Sequence, residues 1–230
     1  MTDFGINTES NNNDACQNAD VIVLAVKPQI LQAVAKDLYD MLQQRQNPPL
    51  IISIAAGITS QHLGQWLGQT LAIVRCMPNT PALIQQGASG LFANSHTSAT
   101  QKQLTETLLK AVGVVSWVDN EDLIDSVTAV SGSGPAYFFL MMEAMIEAGI
   151  KQGLSQQTAT TLTLQTALGA AKLAQSSDVN VDELRRRVTS PGGTTEQAIL
   201  SFEQDGLRNT VDKAMQACAD RSVAMAKEFS

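Results

Sequence analysis

The chain is short of the groups on which most hydrolytic and metal-dependent enzymes rely. It has two histidines in 230 residues, His62 and His96, both in polar surroundings and neither in a metal-ligand or triad pattern. It has no Gly-x-Ser-x-Gly elbow, no phosphate-binding Walker loop and no His-Glu-x-x-His pair. Cys16, Cys76 and Cys218 are widely spaced and form no Cys-x-x-Cys pair, which argues against a disulfide framework and a zinc site and fits a reducing cytoplasm. Basic residues are outnumbered, 15 Lys and Arg against 22 Asp and Glu, and a net charge of −7 gives no overall field for nucleic acid or an anionic membrane. Any anionic ligand must be held by local groups. Apolar runs such as residues 21–26 are far too short to span a bilayer, and the polar N-terminus lacks the basic-then-apolar layout of a signal peptide.

What the chain does have is enough length for a sizeable core in one or two domains. Residues 21–26, 50–54 and 71–76 are β-branched, nearly unbroken apolar runs, as strands buried on both faces of a parallel sheet require. Helical patterns lie between them. Residues 30–44 carry Leu31, Val34, Ala35 and Leu38 on one stripe, and residues 60–67 begin at a Thr59 or Ser60 cap. This alternation predicts a doubly wound α/β sheet. Residues 88–92 and 114–118 read as two further strands flanking a helix over 100–112, with Thr100 and Gln103 at capping-box spacing.

After Asn120 no run of strand character remains, which divides the chain into an α/β domain, residues 1–119, and a helical domain, residues 120–230. A helix over 122–130 is stopped by Ser131-Gly132-Ser133-Gly134, and Pro135 opens the next, residues 136–148. That helix is apolar around most of its circumference, so it is either the centre of a monomeric bundle or buried in a dimer. Further helices are expected over 156–174, 181–188, 195–204 and 208–228.

Two features have the character of a site. Lys27-Pro28, Ala55-Ala56-Gly57 and Met77-Pro78-Asn79-Thr80-Pro81 follow the first three strands, at the carboxyl edge where open α/β sheets bind flat ligands. Val188-Thr189-Ser190-Pro191-Gly192-Gly193-Thr194-Thr195 breaks two helical patterns. Its Pro191 cannot continue a helix, its glycines allow close backbone approach, and Thr194 or Thr195 can cap the helix that follows. On the residues alone this is either a capped turn or a cradle for a carboxylate or phosphate at a helix start.

Five segments in order decide between those readings. Ala25-Val26-Lys27-Pro28, Ser53-Ile54-Ala55-Ala56-Gly57-Ile58-Thr59, Arg75-Cys76-Met77-Pro78-Asn79-Thr80-Pro81-Ala82, Val130-Ser131-Gly132-Ser133-Gly134-Pro135-Ala136-Tyr137 and Ser190-Pro191-Gly192-Gly193-Thr194-Thr195 together resemble the pyrroline-5-carboxylate reductase family, from about residue 4 to the C-terminus. The resemblance implies a metal-free cytoplasmic enzyme of proline biosynthesis that passes hydride from NADPH or NADH to the C=N carbon of 1-pyrroline-5-carboxylate. It implies that Asn12 lies near the adenosine ribose, and that Ala25, Val26, Lys27, Pro28, Ile54, Ala55 and Ala56 line the cofactor, with Met77, Pro78 and Asn79 near its nicotinamide end. Gly193, Thr194 and Thr195 match the substrate loop. Their N–H groups would hold the carboxylate, and the Thr195 hydroxyl would face the ring nitrogen as the catalytic partner. Asp178 falls where the family often has an acidic residue near the site, the alternative being a solvated loop aspartate. The apolar helix over 135–148 then belongs to an intertwined homodimer.

One departure qualifies the resemblance. Family members open with a strand, a Gly-x-Gly-x-x-Gly loop, a helix and a second strand, and none of these is in the chain. Residues 1–6 look like the entry into the third strand, so roughly fifty residues, more than one βαβ unit, are expected to be missing. Unpaired strand edges on both sides of the gap, poor cover for residues 21–26 and weak NAD(P)H binding should follow. Dehydrogenases that pair a Rossmann domain with a helical dimer, such as those for 6-phosphogluconate or hydroxyisobutyrate, need a lysine on the first interdomain helix. Residues 135–148 carry none, and Lys151 lies past the apolar core. A non-catalytic dimeric module that senses proline is the rival of another class.

Overall fold

In the computed structural model, which describes residues 5–68 and 70–228, the chain divides into two compact units, Met1–Pro135 with Gln216–Ser230, and Ala136–Met215. The division by compactness therefore differs from the change of sequence character at Asn120. The segments on either side of the helical stretch return to the sheet.

The first unit is built on a five-stranded sheet in the order β1 (Val21–Leu24), β2 (Leu50–Ser53), β3 (Ile73–Met77), β4 (Gly87–Ala93), β5 (Gly113–Trp117). β1, β2 and β3 are parallel, joined through α2 (Pro28–Asp37), α3 (Tyr39–Gln43) and α4 (Ser60–Leu67). β4 runs antiparallel to β3 and parallel to β5. The reversal has a simple cause: only residues 78–86 join β3 to β4, too few for a crossover helix, and they hold a single 3-10 turn, Thr80–Ile84. α5 (Ala99–Lys110) provides the crossover from β4 to β5.

Alternation along the strands gives the sheet two cores. Ile22, Leu24, Ile51 and Ile73 face Leu31, Ala35 and Leu38 of the first crossover and Leu63 and Leu67 of the second. Leu50, Ile52, Val74, Cys76 and Leu91 line the other face, with Leu109 of α5 packed against them. Leu31, Leu42, Leu63 and Leu67 are fully buried, each worth roughly 2 kcal/mol of apolar burial.

Several boundaries differ from those expected. The helix over 30–44 starts two residues earlier, with Pro28 in its first turn, and breaks at Leu38 into α2 and α3, both of which keep their leucines on the core. α5 is capped by Ser98, not Thr100: Ser98 has extended backbone, its Oγ accepts the Gln101 N–H, and the Gln101 side chain accepts the Ser98 N–H at 2.9 Å. A short helix, α1 (Asn12–Cys16), precedes β1. Residues 1–4 of the expected strand entry lie outside the described residues, and Gly5 and Ile6 have no regular structure. Of the two free edges expected around a gap, one is observed. No strand pairs with the outer side of β1 among the described residues, and Val23 is 52% exposed.

The Ser-Gly-Ser-Gly run does not stop its helix as expected. α6 (Leu123–Val127) widens directly into a π-helical turn, Thr128–Gly132, closed by the Ser133 N–H donating to the Thr128 carbonyl at 2.8 Å. α7 (Gly134–Lys151) follows one residue later, with Pro135 in its first turn.

α7 runs on into the second unit, which holds α8 (Gln156–Gln175), α9 (Val181–Arg187), α10 (Thr194–Gln204) and the first part of α11 (Leu207–Glu228). Gly149 and Ala159 allow α7 and α8 a close approach. Most of the apolar surface is nevertheless uncovered: Phe138, Phe139 and Leu140 are 68%, 62% and 66% exposed.

Candidate functional site

The parallel register brings three of the expected segments to one edge. Leu24, Ser53 and Arg75 are level across β1, β2 and β3, so residues 25–28, 54–57 and 77–79 leave the sheet side by side. Ala25 and Lys27 are exposed, and Val26 and Pro28 half-buried. Lys27 precedes α2 with extended backbone, and no carboxylate pairs with it among the described residues. The Ile54 N–H donates to Leu24 and the Ala55 N–H to Ser53 Oγ, so these residues offer carbonyls and a flat wall rather than free amides. Gly57, at φ +73°, lets the last turns of α11 approach: a Cβ there would sit 3.1 Å from that of Met225. Small side chains and level strand ends leave room for a flat dinucleotide end, so the residues fit a nicotinamide cofactor.

The asparagines separate by role. Asn11 caps α1 by accepting the Asn13 N–H at 2.8 Å, and the Asn13 side chain donates to the Asp37 carbonyl. Asn12 is exposed, and its side chain makes no hydrogen bond among the described residues. Asn79 is held at both ends of its amide. Its Nδ2 donates to the Ser131 carbonyl at 3.0 Å and its Oδ1 accepts the Ala88 N–H at 2.8 Å.

Sequence reading missed the ionic node beside this edge. The Glu121 carboxylate accepts the Ser60 N–H and Oγ–H, both at 2.6 Å, and Arg75 Nη1 at 2.9 Å, with Arg75 only 6% exposed. The available signal was Arg75 itself, a cation inside an apolar strand that must find a partner. The node borders a cleft of about 680 Å3 lined also by His62, Asp125 and Lys227. His62 completes the capping box of α4 with Thr59 and stacks on Trp66. Burial, aided by the nearby Arg75, holds its imidazole below the ordinary value, against the opposing pull of Glu121.

In the second unit the expected loop forms between α9 and α10. Gly192 has φ +72°, the Gly193 N–H donates to the Ser190 carbonyl at 3.0 Å, and Gly193, not a threonine, is the N-cap. Thr194 and Thr195 are instead the first helical residues, because the extended backbone needed for capping falls at Gly193. Their amides belong to the first turn, where no preceding carbonyl is in place to accept them. Both side chains are exposed. Glu196, also missed although it stands three residues past the cap, accepts the Gly192 N–H at 2.7 Å and fixes the turn. Asp178 lies on the exposed connection before α9, and no hydrogen bond joins it to the loop. Among the described residues no cluster of histidine, cysteine and acidic side chains could hold a metal ion, and no helix is long and apolar enough to cross a membrane.

Comparison with known proteins agrees with this arrangement. Residues 121–225 match the family model described as pyrroline-5-carboxylate reductase dimerisation, and residues 1–57 match that described as NADP oxidoreductase, coenzyme F420-dependent. The pyrroline-5-carboxylate reductase of Pseudomonas aeruginosa is 55% identical over 99% of the chain and 82% of its own length. The structure of a pyrroline-5-carboxylate reductase from Coxiella burnetii has a TM-score of 0.90 at 47% identity, covering 98% of this chain and 82% of that one. The Plasmodium falciparum enzyme, solved with NADP bound, has a TM-score of 0.86 at 34% identity over 96% of this chain and 82% of its own. With this likeness along nearly its whole length, and a parallel sheet edge and glycine loop where the motifs placed them, the chain belongs to the pyrroline-5-carboxylate reductase family.

Proposed function

We propose that this chain reduces 1-pyrroline-5-carboxylate to L-proline as a homodimer in the cytoplasm, with the sheet edge as its cofactor side and the Ser190–Thr195 loop as its substrate side. The observation that carries the reading is the loop itself: a glycine N-cap in front of Thr194 and Thr195, with Glu196 fixing the turn. NADPH supplies the hydride. The amides of Thr194 and Thr195 hold the substrate carboxylate, assisted by the partial positive charge of the start of α10. The Thr195 hydroxyl donates to the ring nitrogen and holds the C=N carbon toward the cofactor. The nitrogen gains a proton from solvent, relayed through the Thr195 hydroxyl, which is reprotonated in turn, and the hydride with its electron pair goes to carbon, so neither a metal nor a covalent intermediate is needed.

In the sheet unit, Asn12, Ala25, Val26, Lys27, Pro28, Ile54, Ala55, Ala56, Met77 and Pro78 would line the dinucleotide. Asp178 is the acidic residue near the substrate loop. Residues 1–119 serve the cofactor, and 120–230 the dimer and the substrate. Because no strand pairs with the outer side of β1 among the described residues, we expect the 230-residue chain to bind NADPH weakly and turn over slowly.

Proline formation from 1-pyrroline-5-carboxylate at high NADPH tests the reading, with proline binding followed by calorimetry. Slow turnover is expected, and Thr195→Ala should lower kcat/KM by about a hundredfold while Thr195→Ser keeps most of it. A protein that forms no proline and binds none overturns the assignment. Proline binding that is indifferent to NADPH favours a sensing module instead.

A further inference from the structure

The Ser131-Gly132-Ser133-Gly134 run has no part in the reaction as described, yet it is the most constrained backbone near the cofactor edge. The chain there is π-helical, a form rare in proteins and concentrated at functional sites. Its polar groups are locally engaged: Thr128 Oγ donates to Ile124, Ser131 Oγ to Val127, and Cys218 Sγ of α11 to Ser133 Oγ. The widened turn presents the Ser131 carbonyl outward, where it accepts Asn79 Nδ2 at 3.0 Å.

Packing reinforces the same contact. A Cβ on Gly132 would sit 2.6 Å from Cε of Met77, and one on Gly90 would sit 2.4 Å from Val127, so two glycines let the α6 and π-turn segment close on β3 and β4. Asn79 lies two residues past Met77 and also ties down the Ala88 N–H at the start of β4. Each end of its amide is therefore tied to the protein backbone, which fixes its orientation by a donor bond and an acceptor bond on opposite sides.

We propose that Asn79 and the π-helical turn Thr128–Gly132 are positioning elements that set residues 77–79 at the nicotinamide end, and that Asn79 makes no side-chain contact with the cofactor. This rests on the reductase reading above. A regular α-helix through this segment would withdraw the Ser131 carbonyl, release Asn79 and let the carboxyl end of β3 drift. The same turn leads within two residues into α7, so the helix expected to carry the dimer contact is continuous with the element that shapes the cofactor edge.

The glycines of the motif provide their own control. Gly134 has open space where a Cβ would be added, whereas Gly132 meets Met77. Asn79→Ala, Gly132→Ala and Gly134→Ala should be compared in the full chain by steady-state kinetics at saturating 1-pyrroline-5-carboxylate, calorimetric NADPH binding, and the isotope effect with NADPH deuterated at the transferred position. Asn79→Ala and Gly132→Ala should lower kcat by roughly tenfold or more and change the isotope effect, since an ångström-scale misplacement of the hydride donor is costly. NADPH affinity should change by no more than about threefold, because no cofactor contact is removed. Gly134→Ala should behave as the unmodified protein, and Asn79→Asp, which keeps only the acceptor, should fall between. Unchanged kcat in both Asn79→Ala and Gly132→Ala overturns the inference while leaving the reductase reading intact. So does a loss of NADPH affinity in Asn79→Ala large enough to signal a direct contact. If the unmodified protein neither binds NADPH nor turns over, the reading and the inference fall together.

Discussion

Single side chains in this protein carry consequences out of proportion to their size, and Cys76 is the simplest. Burial pushes its thiol from an ordinary value of 9.0 up to about 11, opposed by a hydrogen bond with Ser89. The folded protein thus holds this proton more tightly than the unfolded chain. The associated stability is complete below pH 9 and is lost as pH rises through about 11. Between those values stability should fall by up to about 1.4 kcal/mol per pH unit, and urea unfolding at about pH 8 and about pH 10.5 should show it. Cys76→Ala should flatten that difference, and an equal fall in the variant would assign it to other groups. Residue identities at the Ser190–Thr195 loop were legible because glycine, proline and threonine each imply a definite backbone behaviour. The cap position was not, since Thr194, Thr195 and Gly193 are all competent and the extended conformation alone selects Gly193.

At the scale of elements, one carboxylate holds three together. Glu121, after β5, ties the first turn of α4 to β3 through Ser60 and Arg75. Glu121→Ala leaves the Arg75 guanidinium buried and unpaired, and should cost about 3–5 kcal/mol in denaturant unfolding. Adding Arg75→Leu should recover part of that loss, and a double variant no more stable than the single one would show that packing, not charge, is responsible. The partners are 46 residues apart, and nothing local in the sequence indicates which acid answers Arg75. The strands were easier to find, because runs such as Leu50-Ile51-Ile52 are buried on both faces and have no other stable use. The direction of β4 depended on a loop length that composition does not reveal, and the π-turn was hidden by glycines that read as a helix stop. Gly132 instead admits Met77, as Gly90 of β4 admits Val127.

The whole chain exposes 14,937 Å2, against about 10,000 Å2 for a folded monomer of its mass. Taken over two chains the difference is about 9,800 Å2, more than most obligate dimers bury, and exposed apolar residues of α7 and α8 such as Phe138, Phe139, Leu140, Leu162 and Leu168 contribute to it. The match of residues 121–225 to a dimerisation family is consistent with a homo-oligomer. A charge at the centre of that face should oppose association: Phe139→Glu should sediment at half the mass of the unmodified protein while keeping the far-ultraviolet signal of its helices. An unchanged mass would move the interface elsewhere.

Gly57 shows how the two ends of the chain depend on each other. Its bare Cα receives Met225, and Ser222 on the same helix donates to Asp125 at 2.6 Å. In topological terms Ala136–Met215 is therefore an insertion into the sheet unit, entered through α7 and left through α11. A fragment ending at Met215 would keep every strand and still lose a wall of the cofactor edge. A fragment starting at residue 121 would keep the helices after it and leave Glu121 facing water instead of Arg75 and Ser60. The boundary that looks like a clean cut in the sequence is one along which neither piece would be whole.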